Sequence, residues 1–224
     1  MERPRIAIVT RLQVIADEDC PAFIYNAGIP TVFLELADTL DFEPVPVLWT
    51  KDLQRTCESC EGLIITGSRI DVDQSYFDPS FAYDETRFDE YKYNRQMIES
   101  FCARKKPVFG ICSGLQELNI FFGGDVVQDM EGHYVTRHDV TFQPDTWFSD
   151  VYERVVNTNS YHHQCVGKPA PSLRIAATSA DGVIEAMDYP GRHIIGFQWH
   201  PEVDQPELRD RVFEKFFKAC AGQI

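Results

Sequence analysis

Basic residues are scarce in this chain. Lys and Arg number 21 against 35 Asp and Glu, a formal net charge of −14 over 224 residues. Such a surface repels phosphate backbones, so general nucleic-acid binding is not expected, although one small phosphorylated ligand in a locally basic pocket stays compatible with it. Long apolar runs are missing too. None approaches the roughly 18 residues of a membrane-spanning helix, and the first ten residues lack the apolar core of a secretion signal. The expectation is a cytoplasmic protein with no membrane attachment. A disulfide framework is also not expected, because the seven cysteines (20, 57, 60, 102, 112, 165 and 220) are odd in number and irregular in spacing. Cys57-Glu-Ser-Cys60 has half the spacing of a zinc site, but no second CxxC or histidine pair completes it, and the two are read as ordinary semi-buried thiols. Asp71, Asp73 and Asp78 lack the glycine and terminal glutamate of a calcium loop. No metal and no cofactor are expected. Repeats, low-complexity tracts and Gly/Ser linkers are absent as well. An apolar fraction of 44% and this length fit one domain spanning residues 1–224.

What is present is an alternation of apolar runs and helical patterns. Residues 5–10 read as a first strand, followed by a loop carrying Asp17, Glu18 and Asp19. Residues 30–40 read as a helix, with Phe33, Leu36, Ala37 and Leu40 at helical spacing and Pro30 in its first turn. Residues 44–48 form a strand that Pro44 and Pro46 confine to an edge. A third strand runs to Thr66 and stops at Gly67-Ser68. The acidic, aromatic stretch 69–90 is either a solvated loop or a flap over a site. A helix over 88–102 leads to a strand at 108–111. This order predicts a flavodoxin-like, doubly wound α/β fold with a mostly parallel sheet flanked by helices. Beyond Gly124, shorter alternating segments near 134–142, 154–157, 174–178, 183–187 and 193–198 predict a small additional antiparallel region. A closing helix is expected over 207–219.

The strand at 108–111 ends on Gly110-Ile-Cys112-Ser-Gly114, after which Leu115, Leu118, Phe121 and Phe122 mark a helix stopped by Gly123-Gly124. Glycines two before and two after a cysteine, between strand and helix, are the pattern of a nucleophile elbow. The turn strains the backbone of the central residue and requires small neighbours. It also sets the sulfur at a helix N-terminus, where positive partial charge favours the thiolate. Such a nucleophile needs a base and a group to orient that base. Gly196-Phe-Gln-Trp-His200-Pro-Glu202 places a histidine straight after a strand, with a carboxylate two residues on to fix its tautomer.

Together these motifs resemble the class I glutamine amidotransferase superfamily, whose triad is Cys-His-Glu. The resemblance covers most of the chain. Asn159-Ser160-Tyr161-His162-His163-Gln164, Asp71-Val-Asp73 and Gly132-His133…His138 are similar to the branch typified by gamma-glutamyl-gamma-aminobutyrate hydrolase. The chain departs from that branch at Ser113, where arginine is frequent, at Leu115, where methionine or histidine is common, and at Gly67-Ser68, where Gly-Gly is usual. The resemblance implies Cys112 as nucleophile, His200 as proton carrier and Glu202 as its orienter. It implies an oxyanion hole at Gly67, Ser68 and Ser113, and binding of the glutamyl group by Gln116, the backbone at Ser160 and Tyr161, and His162.

For His162 and His163 two readings stay open, pocket lining or loop support. His138 is a candidate to support the site from behind, His193 is read as exposed or structural, and Glu185 as a structural carboxylate near His200. Arg69 either meets an anionic group of the substrate or is a solvated loop residue. The implied activity is hydrolysis of a gamma-glutamyl amide, the substrate being a gamma-glutamylated amine or a gamma-glutamyl nucleotide amidate. Two alternatives stand beside it: a glutaminase subunit delivering ammonia to a separate synthase partner, and a catalytically silent binding relative. The intact triad speaks against the second.

Overall fold

The computed structural model describes residues 3–15, 24–48, 53–86 and 88–224; Asp17, Glu18, Asp19 and Cys20 lie outside the described residues. The first third of the chain holds β1 (Arg5–Val9), β2 (Arg11–Ile15), β3 (Ile24–Gly28), α1 (Val32–Leu40), β4 (Glu43–Val47), α2 (Leu53–Ser59) and β5 (Gly62–Ile65). A loop with one short 3-10 turn, Gln74–Tyr76, leads to α3 (Glu90–Ala103), β6 (Val108–Ile111), α4 (Ser113–Phe121) and β7 (Val126–Val127). The remainder comprises β8 (Tyr134–Phe142), β9 (Val155–Tyr161), β10 (Cys165–Val166), β11 (Arg174–Ser179), β12 (Ile184–Asp188), β13 (Ile194–Phe197) and α5 (Pro206–Cys220).

The main sheet runs β4-β1-β5-β6-β13-β12-β11-β8-β9. Its first five strands are parallel and its last four antiparallel. The proline-bearing β4 is at the edge, as its missing N–H donors require. Side chains of the parallel strands alternate between two cores. Ile6, Ile8, Ile64, Phe109, Ile195 and Phe197 pack on α1 and α5 through Phe33, Leu36, Phe213 and Phe216. Ala7, Val9, Leu63, Ile65, Val108 and Ile194 pack on the opposite face against Cys57, Met97, Phe101 and Leu118 of α2, α3 and α4. Burial on both faces is what strands of nearly unbroken apolar sequence demand. The doubly wound expectation therefore holds. The antiparallel strands are not a separate patch; they continue the same sheet, because β12 pairs β13 directly.

Several elements escaped the sequence reading, the two-residue strands β7 and β10 among them. The hairpin β2–β3 falls where a loop was expected. The helix α2 packs Cys57, wholly buried like Cys60. Burial raises the pKa of both thiols, and Lys106 Nζ caps the carbonyls of the two residues. They are core residues rather than half a metal site.

Candidate active site

The site begins with the turn from β6 into α4. Cys112 sits between them at φ 53°, ψ −109°, a left-handed backbone that an L-residue adopts only under constraint. The neighbouring glycines supply the room. A Cβ on Gly110 would lie 2.5 Å from the Gly114 carbonyl carbon, and one on Gly114 would collide with the Ile65 carbonyl oxygen. The first intrahelical bonds of α4 run from the Leu115 and Gln116 N–H groups to the Cys112 carbonyl. The Ser113 and Gly114 N–H groups, at the helix start beside Cys112, have no intrahelical acceptor.

His200 follows β13, which lies beside β6 in register with it. Its Nδ1 is 2.7 Å from Glu202 Oε1, and the ring and the Cys112 side chain flank Gly67 together. Burial works against a charged ring here, but the neighbouring Cys112 and Glu202 side chains outweigh it and push the His200 pKa up to about 11. An imidazolium therefore faces the sulfur at neutral pH. Glu202 is buried, on a short 3-10 turn whose first residue is Pro201. Asn159 holds the backbone of the base from both sides, accepting from the His200 N–H at 3.0 Å and donating to its carbonyl at 2.9 Å.

A cavity of about 910 Å³ opens over this group, lined among others by Gly67, Ser68, Ser113, Gln116, Tyr161 and His162. Gly67 is the tightest of these. A Cβ there would be 2.7 Å from His200 Cε1 and 3.4 Å from Cys112 Cβ. Gln116 is oriented by two bonds from its Nε2, to the Gln164 carbonyl at 3.0 Å and to Gln198 Oε1 at 3.2 Å. Gln198 in turn points its Nε2 at the Cys112 sulfur, 3.8 Å away.

Not every expected residue reaches the cavity. Ser160 is fully buried and does not line it; its hydroxyl donates to the His133 carbonyl at 2.6 Å, so its side chain serves the scaffold. Glu185, expected near His200, directs its carboxylate instead at His133, His138 and His162. His138 supports that carboxylate, and His193 accepts from the Trp147 indole at 3.2 Å. His163 sits on the cavity wall 3.3 Å from Asp71, and Arg69 lines the same wall, so the start of the acidic segment does border the site. Asp73 and Asp78 do not share this role. They accept from Ser75 and Ser80 within their own turns.

Sequence reasoning missed one supporting group. Arg11, buried under the site, donates from Nη1 to Glu90 at 2.9 Å, from Nη2 to Glu117 at 3.2 Å and from Nε to the Thr66 carbonyl at 2.9 Å. Its Nη2 also reaches Ser113 Oγ at 3.4 Å. Asn94 donates to the other oxygen of Glu117 at 2.9 Å, and Ser68 Oγ to Glu90 at 2.5 Å. One guanidinium thereby ties the Thr66–Gly67–Ser68 turn to the start of α4. Burial pushes the Glu117 carboxyl pKa up, while Arg11 and Asn94 oppose the shift. The only signal in the sequence was an arginine straight after an apolar strand.

A strained cysteine after the fourth parallel strand of a doubly wound sheet, with a histidine–glutamate pair brought beside it from the neighbouring strand, defines a class I glutamine amidotransferase-like protein. The family model described as Peptidase C26 matches residues 5–202, and the chain belongs to that family. It is a hydrolase acting on an amide C–N bond. The gamma-glutamyl-gamma-aminobutyrate hydrolase PuuD of Escherichia coli K12 is 26% identical over 234 residues, covering 95% of this chain and 88% of that protein. One component of a glutamine-hydrolyzing GMP synthase from Methanothrix thermoacetophila is 35% identical over 114 residues, covering 51% of this chain and 62% of that protein. The crystal structure of a glutamine amidotransferase from Thermotoga maritima superposes with a TM-score of 0.68 at 18% identity, over 96% of this chain and 82% of that one. Among the described residues no helix is long and apolar enough to cross a membrane.

Proposed function

We propose that the chain is a stand-alone gamma-glutamyl hydrolase that works through a thioester on Cys112. The observation that carries the reading is His200, bonded by Nδ1 to Glu202 at 2.7 Å and standing with Cys112 around Gly67, where an added Cβ would meet the ring at 2.7 Å and Cys112 Cβ at 3.4 Å. The Cys112 sulfur attacks the δ-carbonyl carbon of a gamma-glutamyl amide, forming a C–S bond and an oxyanion. Backbone N–H groups of Ser113 and the Gly67-Ser68 turn receive that oxyanion; each such donor is worth about 100- to 1,000-fold in rate. His200 gives its proton to the leaving nitrogen as the C–N bond breaks, and the amine departs. The neutral ring then takes a proton from water, which attacks the thioester, breaks the C–S bond and releases glutamate. Gln116 and the backbone beside Tyr161 hold the amino and carboxylate groups of the glutamyl moiety, while His162, its Nδ1 turned to the Gln164 carbonyl, shapes the wall between them. The leaving group lies towards Arg69, Asp71 and His163, the charged wall of the cavity.

Purified protein is incubated with gamma-glutamyl-gamma-aminobutyrate, a gamma-glutamyl polyamine, a gamma-glutamyl nucleotide amidate and glutamine, and glutamate release is measured. Release from at least one of the first three, abolished by Cys112→Ala, is expected. No release from any of them, or release that survives Cys112→Ala, overturns the reading. Release from glutamine alone, and only when a synthase is added, assigns the chain to the ammonia-delivering class that its likeness to the GMP synthase component suggests.

A further inference from the structure

One buried cluster takes no part in the thioester chemistry. His133 precedes β8, His138 lies on it, His162 follows β9 and Glu185 is on β12. Four atoms, one from each residue, lie within 4.8 Å of one another. Glu185 is wholly buried, and His133 and His162 nearly so. Among the described residues nine buried side-chain polar atoms lack a hydrogen-bond partner, and six of the nine belong to this cluster: His133 Nδ1, both nitrogens of His138, His162 Nε2 and both oxygens of Glu185. Orphaned polar atoms are rare in protein interiors, and a cluster that holds six of them, four of which converge, requires something to receive them.

The outer bonds of the rings say what that is. His162 Nδ1 lies 2.9 Å from the Gln164 carbonyl, which only an N–H can approach, so in the neutral ring Nε2 carries a lone pair. His133 Nε2 lies 2.9 Å from an oxygen of Asp181, so its Nδ1 is likewise the lone-pair nitrogen. With both rings neutral their lone pairs face the Glu185 carboxylate, an unfavourable arrangement that a shared cation, a proton or a metal ion, relieves. A second bond from the far side of a ligating ring, to a carbonyl or carboxylate, is the usual way a protein fixes a metal-binding imidazole. The spacing agrees. Glu185 Oε1 is 3.4 Å from His133 Nδ1, 3.3 Å from His138 Nε2 and 3.8 Å from His162 Nε2. A tetrahedral ion with bonds of about 2.0–2.1 Å sets its ligand atoms roughly 3.3–3.4 Å apart.

We propose that His133, His138, His162 and Glu185 form a closed tetrahedral site for one divalent transition-metal ion of the zinc class. Three imidazoles and one carboxylate are a donor set that suits zinc, and all four places are filled by protein, which makes the site structural. Two positive charges would offset buried Glu185 and the exposed Asp181 that holds His133 from outside. The ion would enter past His138, whose side chain is the most exposed of the four ligands at 19%. Its effect is to pin segment 159–164. The Gln164 carbonyl that fixes His162 also accepts from Gln116, so the ion and the glutamyl-holding amide share one anchor.

The test is metal content, independent of any activity. Protein freed of any purification tag is loaded with Zn2+, dialysed against metal-free buffer and assayed by plasma mass spectrometry. About one equivalent per chain is expected in wild type and in Cys112→Ala, and a small fraction of that in His138→Ala. Adding Zn2+ to chelator-stripped wild type should raise Tm by roughly 5–10 °C. If His138→Ala does not fold, Co2+ added to stripped wild type decides, since a four-coordinate site gives an intense visible absorption band. The proposal is overturned by less than about a tenth of an equivalent of zinc in wild type with no change in Tm. It is equally overturned by undiminished zinc in His138→Ala, or by the weak spectrum of six-coordinate Co2+. Loss of amidase activity in Cys112→Ala bears only on the thioester mechanism and leaves this site untouched.

Discussion

Two buried charged clusters flank the candidate nucleophile, and they are built to opposite plans. Under the parallel half, Arg11 meets Glu90 and Glu117, and both carboxylates have further donors in Ser68 and Asn94. Under the antiparallel half, Glu185 faces three histidines at ion-pair distance without one good hydrogen bond. In the second cluster the carboxyl pKa is lowered, because the rings around Glu185 outweigh its burial. The first cluster contains its own positive charge and is complete. The second supplies lone pairs and a carboxylate and leaves its centre for an ion. A closed network locks a turn in place, whereas an open one makes the position of a loop depend on what is bound.

Mutation separates the two plans. Arg11→Ala leaves two buried carboxylates facing each other and should cost about 3–5 kcal/mol in chemical denaturation. A loss under about 1 kcal/mol would mean that water replaces the guanidinium and the network is not closed. Glu117→Gln removes charge-assisted bonds and should cost about 1.5–3 kcal/mol. In chelator-stripped protein, Glu185→Gln should cost less than Glu117→Gln, because no well-formed bond is lost. The reverse order would make the two clusters equivalent.

Between the clusters, the pH behaviour of His200 tests the proposed proton carrier itself. Its pKa is raised in the folded protein, so its stabilising contribution is complete below roughly pH 6.5 and is lost as pH rises through about 11. Turnover should therefore hold steady from neutral to pH 9. Glu202→Gln removes one of the influences that raise the pKa, and the alkaline limb of the pH–kcat profile should move towards neutrality. An unmoved limb would show that Cys112 alone holds the proton on the ring. The smallest effect is expected at Asp71→Asn on the half-exposed loop. Stability should change by no more than about 0.5 kcal/mol, since an exposed pair with His163 contributes little. Any effect should fall on KM for cationic leaving groups.

Much of the layout was legible in the chain. Gly110-Ile-Cys112-Ser-Gly114 and His200-Pro-Glu202 are short motifs whose residues meet through local geometry, and β6 and β13 are adjacent in the sheet. The strand-helix alternation through residue 111 revealed the parallel half for the same reason. Neither charged cluster could be read. Arg11, Thr66, Glu90 and Glu117 come from four elements that only the sheet order brings together. His133, His138, His162 and Glu185 have no regular spacing, and their convergence follows from the register of β8 on β9 and the return of β12. For Ser160 the motif implied a backbone role, and which way its side chain turns is set by the register of β8 on β9, not by the motif.

Gly67 has a consequence for how this sequence can drift. Every amino acid but glycine carries a Cβ, and at this position a Cβ would stand 2.7 Å from the ring of the base. Position 67 therefore has no mild replacement. Its two neighbours, by contrast, have room for side chains with partners of their own: Thr66 Oγ1 donates to the Val9 carbonyl and Ser68 Oγ to Glu90. The wall between base and oxyanion turn is one hydrogen atom thick, and only glycine leaves room for it.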